Sequence, residues 1–251
     1  MKPIKIGVAG KGGTGKTTLS SLIILSLLKI NQKPILAIDA DPNSNLAENL
    51  GVPNPKSLVE IVNEVEKIKN SLPYGMEKSK YLEIKIQEAI REENGFDLLI
   101  MGRTEGPGCY CYANNLLREW MEKIEKNYKF VVMDNEAGME HISRRTSGNL
   151  DILFIVSLCD KVSLRTAENI YNMINSLELN IKKTYLVLNE FTGKKIEDNF
   201  NFPIPVAFRL PFDQEIYNLT EESRGILNLS ENAISYLKTK EFINHILSET
   251  V

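Results

Sequence analysis

The sequence predicts an α/β fold: a single doubly wound, mostly parallel sheet flanked by helices. Three observations predict it. Short apolar runs recur at intervals too long for hairpins, each run is continuous instead of alternating, and helical patterns lie between them. Continuous runs are what strands covered on both faces require, and repeated strand–helix alternation implies crossover connections.

The strand candidates, in order, are Ile4–Ala9, Ile35–Ile38, Leu98–Met101, Phe130–Met133, Ile152–Val156, Tyr185–Leu188 and Val206–Phe208. Helical spacing follows the first (Leu22, Leu25, Ile30), the third (Leu116, Leu117, Trp120, Ile124) and the fifth (Thr166, Ile170, Met173, Ile174). Leu229–Leu247 reads as a last helix docked on the core, because its charges nearly cancel. Val52–Asn94 carries two competing periods: Leu82, Ile84 and Ile86 alternate like a strand, while Ile86 and Ile90 space like a helix, so no element is assigned. No repeat and no Gly/Ser/Pro-rich linker divides the chain, so residues 1–251 read as one domain.

Composition closes off several classes. At 251 residues, 43% apolar and 25% charged, the chain can bury a full core and resembles neither a disordered nor a fibrous protein. Lys+Arg 30 against Asp+Glu 33 carries no footprint for nucleic acid or an acidic membrane. Three cysteines and two histidines exclude a disulfide scaffold, and Cys109 and Cys111 stand too close together for an easy disulfide, which suggests reduced thiols. The start MKPIKIGVAGKGG has no signal-peptide core, and the apolar run Leu19–Ile30 is too short to span a membrane. The expected location is cytoplasmic.

Ligands gather at the carboxyl ends of strands in such folds, and the chemistry-bearing residues stand there. Gly10–Thr18, GKGGTGKTT, follows the first strand and opens the first helix, fitting G-x-x-x-x-G-K-T in the setting that motif needs. Gly12, Gly13, Thr14 and Gly15 let backbone N–H groups wrap an anion, and the helix N-terminus adds its positive end. Lys16 neutralises β/γ-phosphate charge, Thr17 offers a hydroxyl to Mg²⁺, and Thr18 continues the cradle. ATP or ADP with Mg²⁺ is the expected cargo of this loop. Asp134, after Phe130–Met133, suits a carboxylate that holds Mg²⁺ through water, or a helix N-cap. Asp39-Ala40-Asp41-Pro42 ends the second strand, where Asp39 can also support the loop through backbone hydrogen bonds.

Gly106-Pro107-Gly108-Cys109-Tyr110-Cys111-Tyr112 follows the third strand. Two thiolates fall short of the four that close a zinc site or a cluster, but two-fold symmetry would supply the other pair. Such a Cys₄ site suits Zn²⁺ or Ni²⁺. On its own a Cys-x-Cys pair is also what buried or incidental thiols look like. Cys159 reads as a small core hydrophobe, and His141 and His245 as surface or helix-end residues.

The loop K-G-G-T-G-K-T-T, with its extra Lys11, resembles the deviant P-loop of the MinD, ParA and nitrogenase-iron-protein class of ATPases. The resemblance implies that Lys11 reaches a partner's nucleotide across a homodimer, and that Asp41 lies in switch I, positioning the attacking water or contacting Mg²⁺ through water. It also implies that Asn189 reads the adenine edge and that the turn carrying Arg209 and Pro211 closes over the base. Met101-Gly102-Arg103, GPGCYCYANNLLR and VVMDNEAGMEHISRR are similar to the CooC-type ATPases that insert nickel into carbon monoxide dehydrogenase and acetyl-CoA synthase. That family implies an ATP-controlled dimer holding nickel or zinc at Cys109 and Cys111 and serving a nickel-enzyme client. The charge balance and the docked last helix point to no nucleic-acid and no membrane partner. Two other readings stand beside it. One is a redox ATPase with a bridging [4Fe–4S] cluster, although no cysteine follows Asp134 in Asn135-Glu136-Ala137-Gly138. The other is a positioning switch of the MinD/ParA kind.

Overall fold

The computed structural model describes residues 2–68, 76–102, 119–136, 149–177, 179–190 and 201–250. Its strands are β1 (Ile4–Gly10), β2 (Ile35–Ala40), β3 (Arg91–Glu93), β4 (Phe96–Ile100), β5 (Phe130–Asn135), β6 (Asn149–Leu158), β7 (Asn180–Asn189) and β8 (Val206–Leu210). They form one sheet in the order β3-β4-β2-β5-β1-β6-β7-β8, parallel except for the antiparallel β3–β4 pair. The first strand therefore lies inside the sheet, between β5 and β6. The chain runs outward from β1 to one side, returns to insert β5, and then continues to the other side, which opens a crevice above β1.

The helices are α1 (Lys16–Lys29), α2 (Leu46–Leu50), α3 (Leu58–Lys67), α4 (Lys78–Gln87), α5 (Lys161–Ser176), α6 (Gln214–Glu221) and α7 (Ile234–Thr250); residues 119–125 are also helical. They cover both faces. On one face Leu22, Ile23 and Leu27 of α1 pack with Leu46, Tyr236 and Ile243 against Val8 and Phe154. On the other, Ile61 and Val65 of α3, Leu82 and Ile86 of α4, and Ala167 and Ile170 of α5 pack against Ile38, Val131 and Ile155. α1 is buried nearly all round, because α7 and α2 close over the side turned away from the sheet.

The strands extend past the apolar runs. β5 continues through Asp134 and Asn135, and β2 through Asp39, so both carboxylates sit within the pleat. β6 and β7 begin earlier than expected, pairing from Asn149 and Asn180, and Lys182 meets Asp151 at 2.7 Å near their polar ends. Met101 lies one residue beyond β4, its N–H donating to the Asp39 carbonyl at 2.8 Å.

The unassigned Val52–Asn94 contains α3, α4 and β3. The helical period wins at Ile86: Leu82 and Ile86 are buried one turn apart while Ile84 is 39% exposed. A capping box starts α3, with the Ser57 hydroxyl accepting the Glu60 N–H and the Glu60 carboxylate accepting the Ser57 N–H. The last helix begins at Ile234, later than Leu229, after a short 3₁₀ turn at Ile226–Asn228. It docks on α1 and β8 through Tyr236, Ile243 and Ile246.

Candidate nucleotide site

The glycine-rich loop joins β1 to α1 at the carboxyl edge of the sheet. Thr14 closes the turn by donating its hydroxyl to the Lys11 carbonyl at 2.7 Å. Gly15 caps α1 with φ +93°, a left-handed conformation that L side chains rarely adopt. A Cβ there would lie 2.5 Å from the Asn189 amide nitrogen, so a larger residue would also have to displace that amide. Lys16, on the first turn of α1, is only 7% exposed, with its ammonium 4.0 Å from the Asp41 carboxylate. Lys11, Gly12 and Gly13 are exposed at the crest.

Beneath the loop, the Thr17 hydroxyl donates to Asp134 Oδ2 at 2.6 Å and the Ser20 hydroxyl to Oδ1 at 3.1 Å. Asp134 is fully buried. Burial pushes its carboxyl up to about 6, against the two hydroxyl bonds and the Lys16 charge, which favour the ionised form. A hydroxyl and a carboxylate side by side, next to an anion cradle, form a hard-oxygen donor set that fits Mg²⁺. The sequence reading missed Ser20, whose signal was its place one helical turn beyond Thr17.

The Asp39 carboxylate accepts the Asp41 N–H at 3.1 Å and the Leu46 N–H at 2.9 Å. It supports the loop after β2 from below, the backbone role left open by the sequence. Burial raises its carboxyl to about 7, the Leu46 bond opposes this, and the charge of Asp134 adds to it. Asp41 stays 14% exposed, faces Lys16, and accepts the Asn43 N–H at 2.9 Å.

Beside the loop, a cavity of about 370 Å³ is lined by Gly13, Gly15, Thr18, Asn189, Pro211 and Tyr217, among others. Asn189, the last residue of β7, donates its amide to the Thr14 carbonyl at 2.9 Å. Arg209 pairs with Glu190 at 3.2 Å and is not among the residues lining this cavity, whereas Pro211 is. Tyr217, 43% exposed and 6.4 Å from the Phe212 ring, is an aromatic wall that sequence reading did not single out. Asp213 fixes that wall by accepting the Glu215 N–H at 3.1 Å and the Ser235 N–H at 3.0 Å, which ties α6 to α7. A larger cavity, about 530 Å³, opens at the opposite end of the sheet around the Lys5–Glu125 ion pair and contains none of the motif residues.

Cys109, Cys111 and His141 lie outside the described residues. Among the described residues, no group of three or more His, Cys, Asp or Glu side chains could hold a metal ion, and no helix is long and apolar enough to cross a membrane. Cys159 is a buried thiol whose Sγ lies 3.8 Å from the Asn189 carbonyl, and His245 is exposed on α7, 3.3 Å from Glu249.

A buried Lys at a glycine-rich strand–helix turn, with a hydroxyl–carboxylate pair below it, defines a P-loop ATPase on a MinD/ParA-type sheet. The chain belongs to the AAA domain family AAA_31, whose model matches residues 1–187. It is 40% identical over 250 residues to an uncharacterized ATP-binding protein of Methanocaldococcus jannaschii, covering 97% of this chain and 98% of that one. It is 32% identical over 251 residues to the carbon monoxide dehydrogenase accessory protein CooC of Rhodospirillum rubrum, covering 90% of each. Two solved structures share the fold. A ParA family ATPase from Chlorobium tepidum has TM-score 0.73 at 18% identity, over 97% of this chain and 98% of that one. The septum site-determining protein MinD from Pyrococcus horikoshii, complexed with Mg-ADP, has TM-score 0.68 at 19% identity, over 100% and 99%.

Proposed function

We propose that this chain is an ATP-hydrolysing homodimeric metallochaperone that binds nickel or zinc at an intersubunit Cys109/Cys111 site and assists nickel insertion into carbon monoxide dehydrogenase or acetyl-CoA synthase. One observation carries the reading. The 32% identity to a carbon monoxide dehydrogenase accessory protein spans 90% of both chains, and in this chain a Cys-x-Cys pair follows the strand beside the switch.

In this reading the loop N–H groups and Lys16 hold the phosphates, and Thr17 and Asp134 would hold Mg²⁺, which would neutralise phosphate charge. Asp41 orients the attacking water. Lys11 of each subunit meets the opposite nucleotide, a cation delivered where charge develops on the transferring phosphoryl group. Asp39 is bonded to the Asp41 N–H, and its carbonyl to the Met101 N–H, so the switch is joined to the strand from which the chain leaves toward Cys109. Movement of the switch on hydrolysis then changes metal affinity, and metal binding must in turn change nucleotide affinity or dimerisation.

The test is an anaerobic titration with Ni²⁺ and Zn²⁺ followed by molecular size, with and without ATP. The native chain and a Cys109→Ser/Cys111→Ser variant are compared. One ion per dimer, lost in the variant, is expected; an ion held by a single subunit, or retained without either thiol, would sink the reading. A visible absorption band in an anaerobic preparation would point to an iron–sulfur cluster instead.

A further inference from the structure

One bond at the site that the ATPase mechanism leaves unused runs from the Asn189 side chain to the loop itself. Thr14 is 1% exposed, so its carbonyl cannot turn to water and needs a protein donor. The donor it meets is a side chain from the far side of the site. Asn189 Nδ2 meets that carbonyl at 2.9 Å and fills the space where a Cβ at Gly15 would lie.

The backbone that carries this side chain is held from both sides. Asn189 is in register with Leu158 of β6 and Leu210 of β8, and the next N–H, of Glu190, donates to the Leu210 carbonyl at 2.8 Å. Thr14 passes the constraint on, since its hydroxyl clamps the Lys11 carbonyl. An unbroken path of short bonds thus runs from the end of β7 through Thr14 to Lys11.

We infer that Asn189 is a positioning residue for the phosphate loop, holding residues 11–16 in the shape that receives a triphosphate whether or not a base is present. The inference deepens the nucleotide reading and rests on it. A primary amide has two N–H donors and an acceptor, so the same group can serve the loop and the base edge. A group that only reads the base would matter to ATP alone, whereas a strut for the loop must matter to the phosphates by themselves.

Two measurements separate these roles. In nucleotide-free protein, Asn189→Ala should speed amide hydrogen exchange across residues 11–16 about tenfold, and a base reader would leave it unchanged. In titrations with Mg²⁺, the variant should weaken both ATP and inorganic triphosphate roughly five- to tenfold, the scale of one lost hydrogen bond. Asn189→Ser, a smaller change, is read in the same way should the alanine variant fold poorly. Unchanged loop exchange, or a loss confined to ATP with triphosphate binding intact, overturns the inference. A native chain that binds neither ATP nor triphosphate overturns the nucleotide reading beneath it.

Discussion

Asp39 and Asp134 are register partners on the adjacent strands β2 and β5, so two carboxylates stand side by side with no exposed surface. Their bonds divide the labour. Asp39 takes two backbone N–H groups and shapes the loop after β2, while Asp134 takes two hydroxyls from α1 beneath the phosphate loop.

Both carboxyls titrate higher folded than unfolded, Asp39 at about 7 and Asp134 at about 6, chiefly through burial. Protonation therefore favours the folded chain. Their contribution is full below about pH 4 and is lost as pH rises through 6 and 7. Without nucleotide and Mg²⁺, thermal stability should fall across that window. Asp134→Asn should flatten the slope by about 1–3 kcal/mol between pH 5 and 8 while abolishing Mg²⁺-dependent hydrolysis. A slope unchanged in the variant would count against the assignment.

The two loop lysines should separate binding from turnover. Lys16→Ala, which removes the buried ammonium, should abolish tight nucleotide binding in equilibrium titrations. Lys11→Ala should leave binding to a monomer nearly intact but slow hydrolysis about 100-fold and prevent ATP-driven dimerisation. Normal turnover in the Lys11 variant would refute its role in trans.

Gly15→Ala combines a disfavoured backbone angle with a contact 2.5 Å from the Asn189 amide. It should cost about 1–3 kcal/mol in denaturant unfolding and lose nucleotide binding. Gly12, with nothing within 4 Å of a Cβ, is the control whose alanine variant should keep its stability.

Ser57→Ala removes the hydroxyl half of the capping box at α3. The expected cost is about 1 kcal/mol, read as a fall of about 2–4 °C in Tm. No change would mean that packing alone sets the start of the helix.

In the proposed metallochaperone, Cys109→Ser and Cys111→Ser should each remove nickel or zinc binding, measured by equilibrium dialysis, while basal ATP hydrolysis stays within about twofold of the native rate. A parallel loss of hydrolysis would place the pair in the ATPase site itself.

The linear chain was sufficient for seven of the eight strands, their parallel sense and the phosphate loop, but not for the short antiparallel β3. Burial on both faces writes continuous apolar runs, and an anion cradle needs Gly, Lys and Thr at set spacing. It was insufficient at Val52–Asn94: α3 does carry helical spacing, burying Leu58, Ile61, Val62 and Val65 behind a capping box, but α4 has no side-chain cap and its inward face, Leu82 and Ile86, is set by packing in the core. Strand order, the pairing of Asp39 with Asp134, Ser20 beneath the loop, and the grip of Asn189 on Thr14 belong to the fold. Each depends on residues up to 175 positions apart meeting in space, a relation that local pattern does not encode.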